Sequence, residues 1–193
     1  MIADETLKKG YQNLKAVCQI MDTYDAWKIA DIYGAMPYTQ AFNVTQYPTP
    51  AYDYDYDLYK VFDKQLKASA DILTANATGQ KSFATQDFFY GGDRLKWLKF
   101  ANSLRIKIAQ RYEKRDAANL AAVLTDIAGN YGGQIISANT ESFGYDNRKD
   151  WNNNIDDINA IQTGYVASFP FVEFLKSVND PRLRLMVREN DWG

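Results

Sequence analysis

Apolar residues recur along this chain at intervals of three and four, the period of a helix face, with little sustained alternation at two. Leu7, Tyr11, Leu14, Cys18 and Met21 mark one stripe and predict a helix from about Asp4 to Ile32. Leu58, Phe62, Leu66, Ser69 and Leu73 mark a second. Leu98, Ala101, Leu104 or Arg105, Ile108 and Tyr112 mark a third, from Leu95 to about Lys114. Trp97 and Phe100 broaden that third stripe enough to meet two neighbours. A shorter helix is expected over 117–128, with Leu120, Val123, Leu124 and Ile127 inward and Gly129 as its C-terminal cap. No strand pattern is convincing before Gln134, Ile135 and Ile136. The expected fold class is all-α, and the helix lengths suit antiparallel pairs joined by long, aromatic-rich loops.

The punctuation supports these spans. Gly34 can take a positive φ as a cap, and Pro37 stops the helix continuing. A loop over 34–52 follows, with Pro48 and Pro50 biasing their preceding residues toward extended backbone. The run YDYDYD at 52–57 alternates with period two, but Asp is a poor strand former and the pattern beyond it is helical. Asp53 is read as the N-cap, with Asp55 and Asp57 in the first turn, where the helix dipole favours negative charge. A calcium loop of the EF-hand kind lacks its Gly and terminal Glu here. Gly91 and Gly92 form a turn, and Asp93 caps the helix after it. Later, a helix is expected from Tyr165 or Ser168 to Ser177 with Pro170 in its first turn, and Asp180-Pro181 starts a last short one.

Composition narrows the chemistry. A chain of 193 residues is long enough for a real core, and a single helical domain over 1–193 is the default. Net charge is −2, from 22 basic and 24 acidic residues, which is no footprint for nucleic acid. The basic cluster from Lys96 to Arg115 is read as the solvated side of an amphipathic helix. No apolar run approaches the ~18 residues of a membrane span, and MIADETLKKG has no apolar signal-peptide core. The single Cys18 is read as a buried small hydrophobe. There is no His. That removes Ser-His-Asp and Cys-His nucleophile pairs, imidazole metal sites and the commonest general base. Neither a cofactor nor a metal is expected. By contrast the chain carries 14 Tyr, 10 Phe and 4 Trp, which suits a protein that packs helices and also offers flat amphipathic faces to a ligand.

Sugar binding needs flat apolar surfaces against pyranose C–H faces and amide, carboxylate or guanidinium groups for the hydroxyls. Segment 141–154 has this mixture, and Tyr145, Asn147, Arg148 and Trp151 are its candidate contacts. The competing reading is an Asx-rich surface loop that caps its own backbone, with Trp151 plugging the core edge. Loop 33–50, with Tyr33, Tyr38, Phe42 and Tyr47, is the second candidate.

Three segments in order, DIYGAMPYTQAF at 31–42, YDYDYDLYKVFDKQLKASADIL at 52–73 and GGDRLKWLKFANSLRIKIAQRY at 91–112, resemble the SusD/RagB family of outer-membrane nutrient-binding lipoproteins. NDPRLRLMV at 179–187 extends the resemblance over roughly 11–187, while Tyr33 and Ala35-Met36 depart from the family's usual Trp and Asp-Ile. The resemblance implies helix pairs stacked in a tetratricopeptide-like manner. It implies a glycan or other nutrient ligand, no catalysis, and a SusC-like TonB-dependent transporter barrel as partner. It also implies a place on the outer face of the outer membrane, lipid-anchored in the full-length protein, and this chain is read as an internal segment of such a protein or as a truncated relative. Two other function classes stay open: a helical-repeat scaffold binding a protein or peptide, and a glycoside hydrolase built on a carboxylate pair that no sequence feature selects.

Overall fold

A computed structural model describes residues 5–144 and 167–187. Two compact units divide the chain, Met1–Tyr145 and Asp146–Gly193. Helices dominate the described residues of each, and strand among the described residues is confined to two residue pairs.

The first unit opens with α1 (Glu5–Gly10) and α2 (Gln12–Tyr33), separated by a turn at Tyr11. A later loop fills the break: Lys81 N–H donates to the Gly10 carbonyl, Gln80 Nε2 donates to Lys9 O, and Gln80 Oε1 accepts from Asn13 N. Gly34 ends α2 at φ 78°, its N–H donating to Ala30 O, as the sequence predicts. The chain then forms β1 (Ala35–Met36), which pairs antiparallel with β2 (Asp53–Tyr54) in the register Ala35↔Tyr54. Helix α3 (Asp55–Ala75) follows at once, and its predicted stripe of Leu58, Phe62, Leu66, Ser69 and Leu73 is buried. In α4 (Arg94–Arg111) the capping carboxylate of Asp93 accepts from Leu95 N and Lys96 N. Asp116 caps α5 (Ala117–Tyr131) through Asn119 N.

Contacts fix the helix directions. Asn13 bonds Asn76, Thr23 bonds Gln65 and Tyr59 bonds Asp31, so α3 runs antiparallel to α2. Tyr59 stacks on Tyr112, Asp63 meets Arg105 and Leu73 O accepts from Arg94, so α4 runs antiparallel to α3. Arg105 also reaches Asp126, and Asn102 donates to Gln134 O, which turns α5 back along α4. This succession of antiparallel neighbours is the tetratricopeptide-like arrangement. Its core includes Ile20, Trp27, Phe62, Leu66, Leu73, Trp97, Leu104 and Ile108, all buried. The second unit holds a helix over Phe169–Ser177, with Pro170 in its first turn as expected, and a short one over Leu183–Met186.

Several expectations need correction. The buried face of α2 is Asn13, Ala16, Val17, Ile20, Thr23, Ala26, Trp27 and Ala30. Cys18 lies off that face and is exposed, while Leu14 and Met21 sit at its edge. Two neighbours, α3 and α4, demand a broad face, and its alanines allow close approach; the side chain of Leu7 lies outside those described. Leu124 is 46% exposed, and α5 continues past Gly129 to a cap at Gly132. Residues 134–136 are not strand. The last helix starts at Leu183, because Asp180 closes a turn through Arg182 N instead of capping at Pro181.

Arg105 is the most consequential case: the sequence reads it both within the solvated basic cluster and, as an alternative to Leu104, in the buried stripe, and it is 2% exposed. Its Nε lies 2.7 Å from Asp63 on α3 and its Nη2 2.8 Å from Asp126 on α5. The guanidinium also sits 5.9 Å from the Tyr131 ring centroid. One cation thus links three helices. Truncating it leaves Asp63 without its cation and Asp126 with Lys67 alone, 3.1 Å away, each carboxylate being only about a fifth exposed (24% and 21%). Arg105→Ala is expected to lower stability by about 3 kcal/mol, the lower end for a broken buried pair. Urea unfolding at neutral pH measures this, and a loss below about 1 kcal/mol places the network among ordinary surface pairs.

Candidate functional site

Three irregular segments of the first unit each hang on one carboxylate. For residues 37–52 it is Asp53. Its Oδ2 accepts from Tyr38 N (3.0 Å) and Thr39 N (2.8 Å), and its Oδ1 from the Thr39 hydroxyl (2.8 Å). Burial pushes the Asp53 carboxyl up, and these donors outweigh it and hold it below its ordinary value. Asp53 therefore does not cap α3; Tyr54 stands at that position without a side-chain bond, and Asp55 and Asp57 occupy the first turn as expected. Tyr38 is half-buried edge-on to Phe62, its hydroxyl bonded to Asp22 and Gln65. Burial, then Asp22, push its phenol up to about 12. Tyr38 is accordingly a fastening, while Tyr33 and Phe42 from the same loop are exposed and Tyr47 is half-buried.

For residues 76–92 the carboxylate is Asp87. It accepts from Phe89 N, Tyr90 N, Gly92 N (2.8 Å) and the buried indole Nε1 of Trp97 (2.6 Å). Burial raises this carboxyl, and the four donors overturn that and hold it low. Gly92 is required where it stands: φ is +80°, and an added Cβ would lie 2.9 Å from Ala84 Cα.

For residues 132–144 it is Glu141, whose carboxylate takes an ion pair from Lys99 and bonds from Ser137. Lys99, then the Ser137 amide, pull it down to about 2. The Tyr90 hydroxyl donates to Glu141 O. Two residues on, Phe143 lies flat against Phe100 (4.1 Å between centroids, 13°) and Phe89 (4.5 Å, 15°). Phe143 lies inside segment 141–154, whose composition suggests sugar contacts, and it is instead a half-buried bolt in an aromatic cluster with Trp97 and Tyr24.

The four candidate contacts, Tyr145, Asn147, Arg148 and Trp151, lie outside the described residues. The framework carries the chain up to Gly144 and fixes the point from which that segment departs. Among the described residues no cluster of three His, Cys, Asp or Glu side chains stands ready for a metal ion. No described helix is long and apolar enough to cross a membrane.

A SusD-like family model, described as starch-binding associating with outer membrane, matches residues 1–192. The chain belongs to the SusD-like family. Solved SusD-like structures share its fold. A chitin-binding protein is 28% identical with a TM-score of 0.70, the match covering 91% of this chain and 36% of that one. A SusD/RagB family protein from Bacteroides thetaiotaomicron is 26% identical with a TM-score of 0.72, covering 90% and 35%. A chitin-binding SusD homologue from Flavobacterium johnsoniae, at 23% identity and a TM-score of 0.72, covers 90% and 36% and speaks to fold alone. The chain thus spans about a third of the length of these proteins. No curated protein sequence matches it.

The motif residues of the SusD-like resemblance now have physical roles. Gly92, Asp93 and Trp97 close the loop onto α4, and Asp87 is the acceptor that makes this possible. Sequence reading passed over Asp87, although an Asp followed at two and three residues by available amides and then by a Gly-Gly turn is a legible Asx signal. Asp87→Asn keeps the shape but offers one acceptor oxygen for four donors. It is expected to cost about 2–3 kcal/mol at pH 7, chiefly for the stranded Trp97 and Gly92 donors. The wild-type carboxyl is held below its ordinary 3.8, so its contribution is present above about pH 4 and lost as pH falls through the folded value. Urea unfolding of both proteins from pH 7 to pH 3 is expected to show the difference narrowing below pH 4; a constant difference contradicts the assignment.

Proposed function

We propose that this chain is a segment of a longer SusD-like protein that captures a glycan without transforming it. The protein works at the outer face of the outer membrane, lipid-anchored, beside a SusC-like TonB-dependent transporter barrel. The observation that carries this reading is the family match over nearly the whole chain, together with the chitin-binding relative at 28% identity. That relative also favours a sugar over a peptide ligand. Chitin and starch differ in linkage and in the N-acetyl group, but both present flat C–H ring faces bordered by hydroxyls. Tyr145 and Trp151 are proposed to stack on such faces, with Asn147 and Arg148 serving the hydroxyls. The bolting of Phe143 between Phe89 and Phe100 supports this, because it gives the segment a fixed base only two residues before Tyr145.

Retention on polysaccharide gels and calorimetry with chitohexaose and maltohexaose test the reading. Trp151→Ala is expected to lower glycan affinity by about 1–3 kcal/mol, by analogy with base–aromatic stacking, with thermal unfolding unchanged. Unfolding without a specific binding defect assigns Trp151 to the core and removes it from the site.

A further inference from the structure

The junction between α2 and α3 carries aromatic rings that the fold does not bury. Phe42 is 99% exposed, Tyr33 75%, Tyr52 70% and Tyr54 62%. The strand register places Tyr33 and Tyr54 at one junction. Ala35 faces Tyr54, and the Asp55 N–H donates to Gly34 O, so Tyr33 leaves α2 beside the start of α3. Tyr54 and Tyr56 lie parallel within 9° at 6.0 Å, and the Arg115 guanidinium sits 5.0 Å from the Tyr56 ring centroid. Ala51 N donates to Gln40 Oε1, which folds the Phe42 side of the loop back alongside Tyr52. The Asp53 bonds to Tyr38 and Thr39 hold that loop rigid at its base.

Phe42 is the most telling residue. Its φ is +62°, a left-handed conformation that a bulky side chain adopts only under strain. It gains no burial in return. A ring held in strain and in water contributes nothing to folding, which points to a contact made outside the chain.

We infer that this corner is a second glycan-contacting surface, separate from segment 145–151, where Tyr33, Phe42, Tyr52 and Tyr54 offer ring faces to successive sugar units of a polysaccharide. The inference rests on the glycan-capture reading above. Sugar chemistry suits the corner better than a protein partner. Most of the rings are tyrosines with polar rims, they are strung along an exposed turn, and Asp55, Asp57 and Arg115 flank them as acceptors and donor. Protein hot spots centre instead on rings seated in desolvated pockets. The fastened loop also lowers the ordering cost of a weak, extended contact.

The test compares the chain with a Tyr33→Ala/Tyr54→Ala double variant, with Phe42→Gly and with Trp151→Ala. Affinity for chitohexaose and maltohexaose and the melting temperature are read for each. The double variant is expected to bind whichever glycan the wild type binds about tenfold more weakly, with its melting temperature unchanged. Phe42→Gly is expected to weaken binding about threefold while raising the melting temperature, because it removes the strain. If the wild type binds glycan, Trp151→Ala weakens it and the corner variants do not, the inference fails and the glycan-capture reading stands. If the wild type binds neither glycan, both fail. Corner variants that keep glycan affinity but lose association with a transporter barrel or with a second copy identify a protein interface and overturn the inference.

Discussion

The bond from the Trp97 indole to Asp87 is the contact on which the first unit's arrangement turns. Trp97 is 1% exposed, and its ring meets Phe89, Tyr90, Phe100 and Phe143. Such a ring buries its apolar body readily, but its N–H needs an acceptor. Asp87 supplies one from the loop before α4, and the same carboxylate gathers three backbone amides of that loop. The loop is thereby shaped around the indole, and Phe89 and Tyr90 are delivered to its flanks. Phe143 then closes over Phe89 and Phe100 from a segment some fifty residues later. An entire loop and the root of the candidate site thus depend on satisfying one buried donor.

Arg105 shows the same logic inside the helix stack. Helix faces lined by Leu, Ala and Phe are permissive about sliding by a turn, because one apolar contact replaces another at small cost. A buried guanidinium is not permissive. It is satisfied only where Asp63 and Asp126 approach it from opposite neighbours, and Lys67, Tyr131 and Asn130 complete that arrangement around Asp126 and Asp71. Its Nη1 still lacks a hydrogen-bond partner among the described residues and is left to the face of Tyr131. The network is better understood as fixing the register of α3, α4 and α5 than as a source of large stability.

The helices were legible because periodicity and caps are local. Gly34, Asp93, Asp116 and Pro170 announce boundaries within a few residues of where they act, and the stripes of α3 and α4 are buried as the spacing predicts. What stayed hidden depends on partners distant in sequence. The rotation of α2 was misjudged because Cys18 and Ile20 are equally apolar on paper, and only the positions of α3 and α4 decide between them. Arg105 read two ways, beside Leu104 in the buried stripe and within the basic cluster taken as solvated, because nothing near it in sequence reveals Asp63 or Asp126. Asp53 read as a cap because its true donors, Tyr38 and Thr39, reach it only through the strand pairing. Of the candidate site, sequence marked Phe143 by its type and missed its role, while Tyr145, Asn147, Arg148 and Trp151 lie beyond what is described.

The aromatics of the first unit divide into two sets, one fastened and one exposed, and the division bears on the glycan-capture reading proposed above. Tyr38, Tyr59, Tyr90, Trp97, Phe100 and Phe143 are fastened by hydrogen bonds or by stacking, and they make the helix stack rigid. Tyr33, Phe42, Tyr52 and Tyr54 project from that rigid base into water. Carbohydrates are strongly hydrated, so each stacking contact gains little over solvent, and useful affinity requires several contacts whose ordering cost is already met. The carboxylate-pinned loops supply that condition. Asp53, Asp87 and Glu141 are each engaged by local donors, which gives these acids a structural task. The carboxylates that fasten the loops and the rings that project from them thus belong to one side-chain arrangement, and the glycan-capture reading proposed above draws on both.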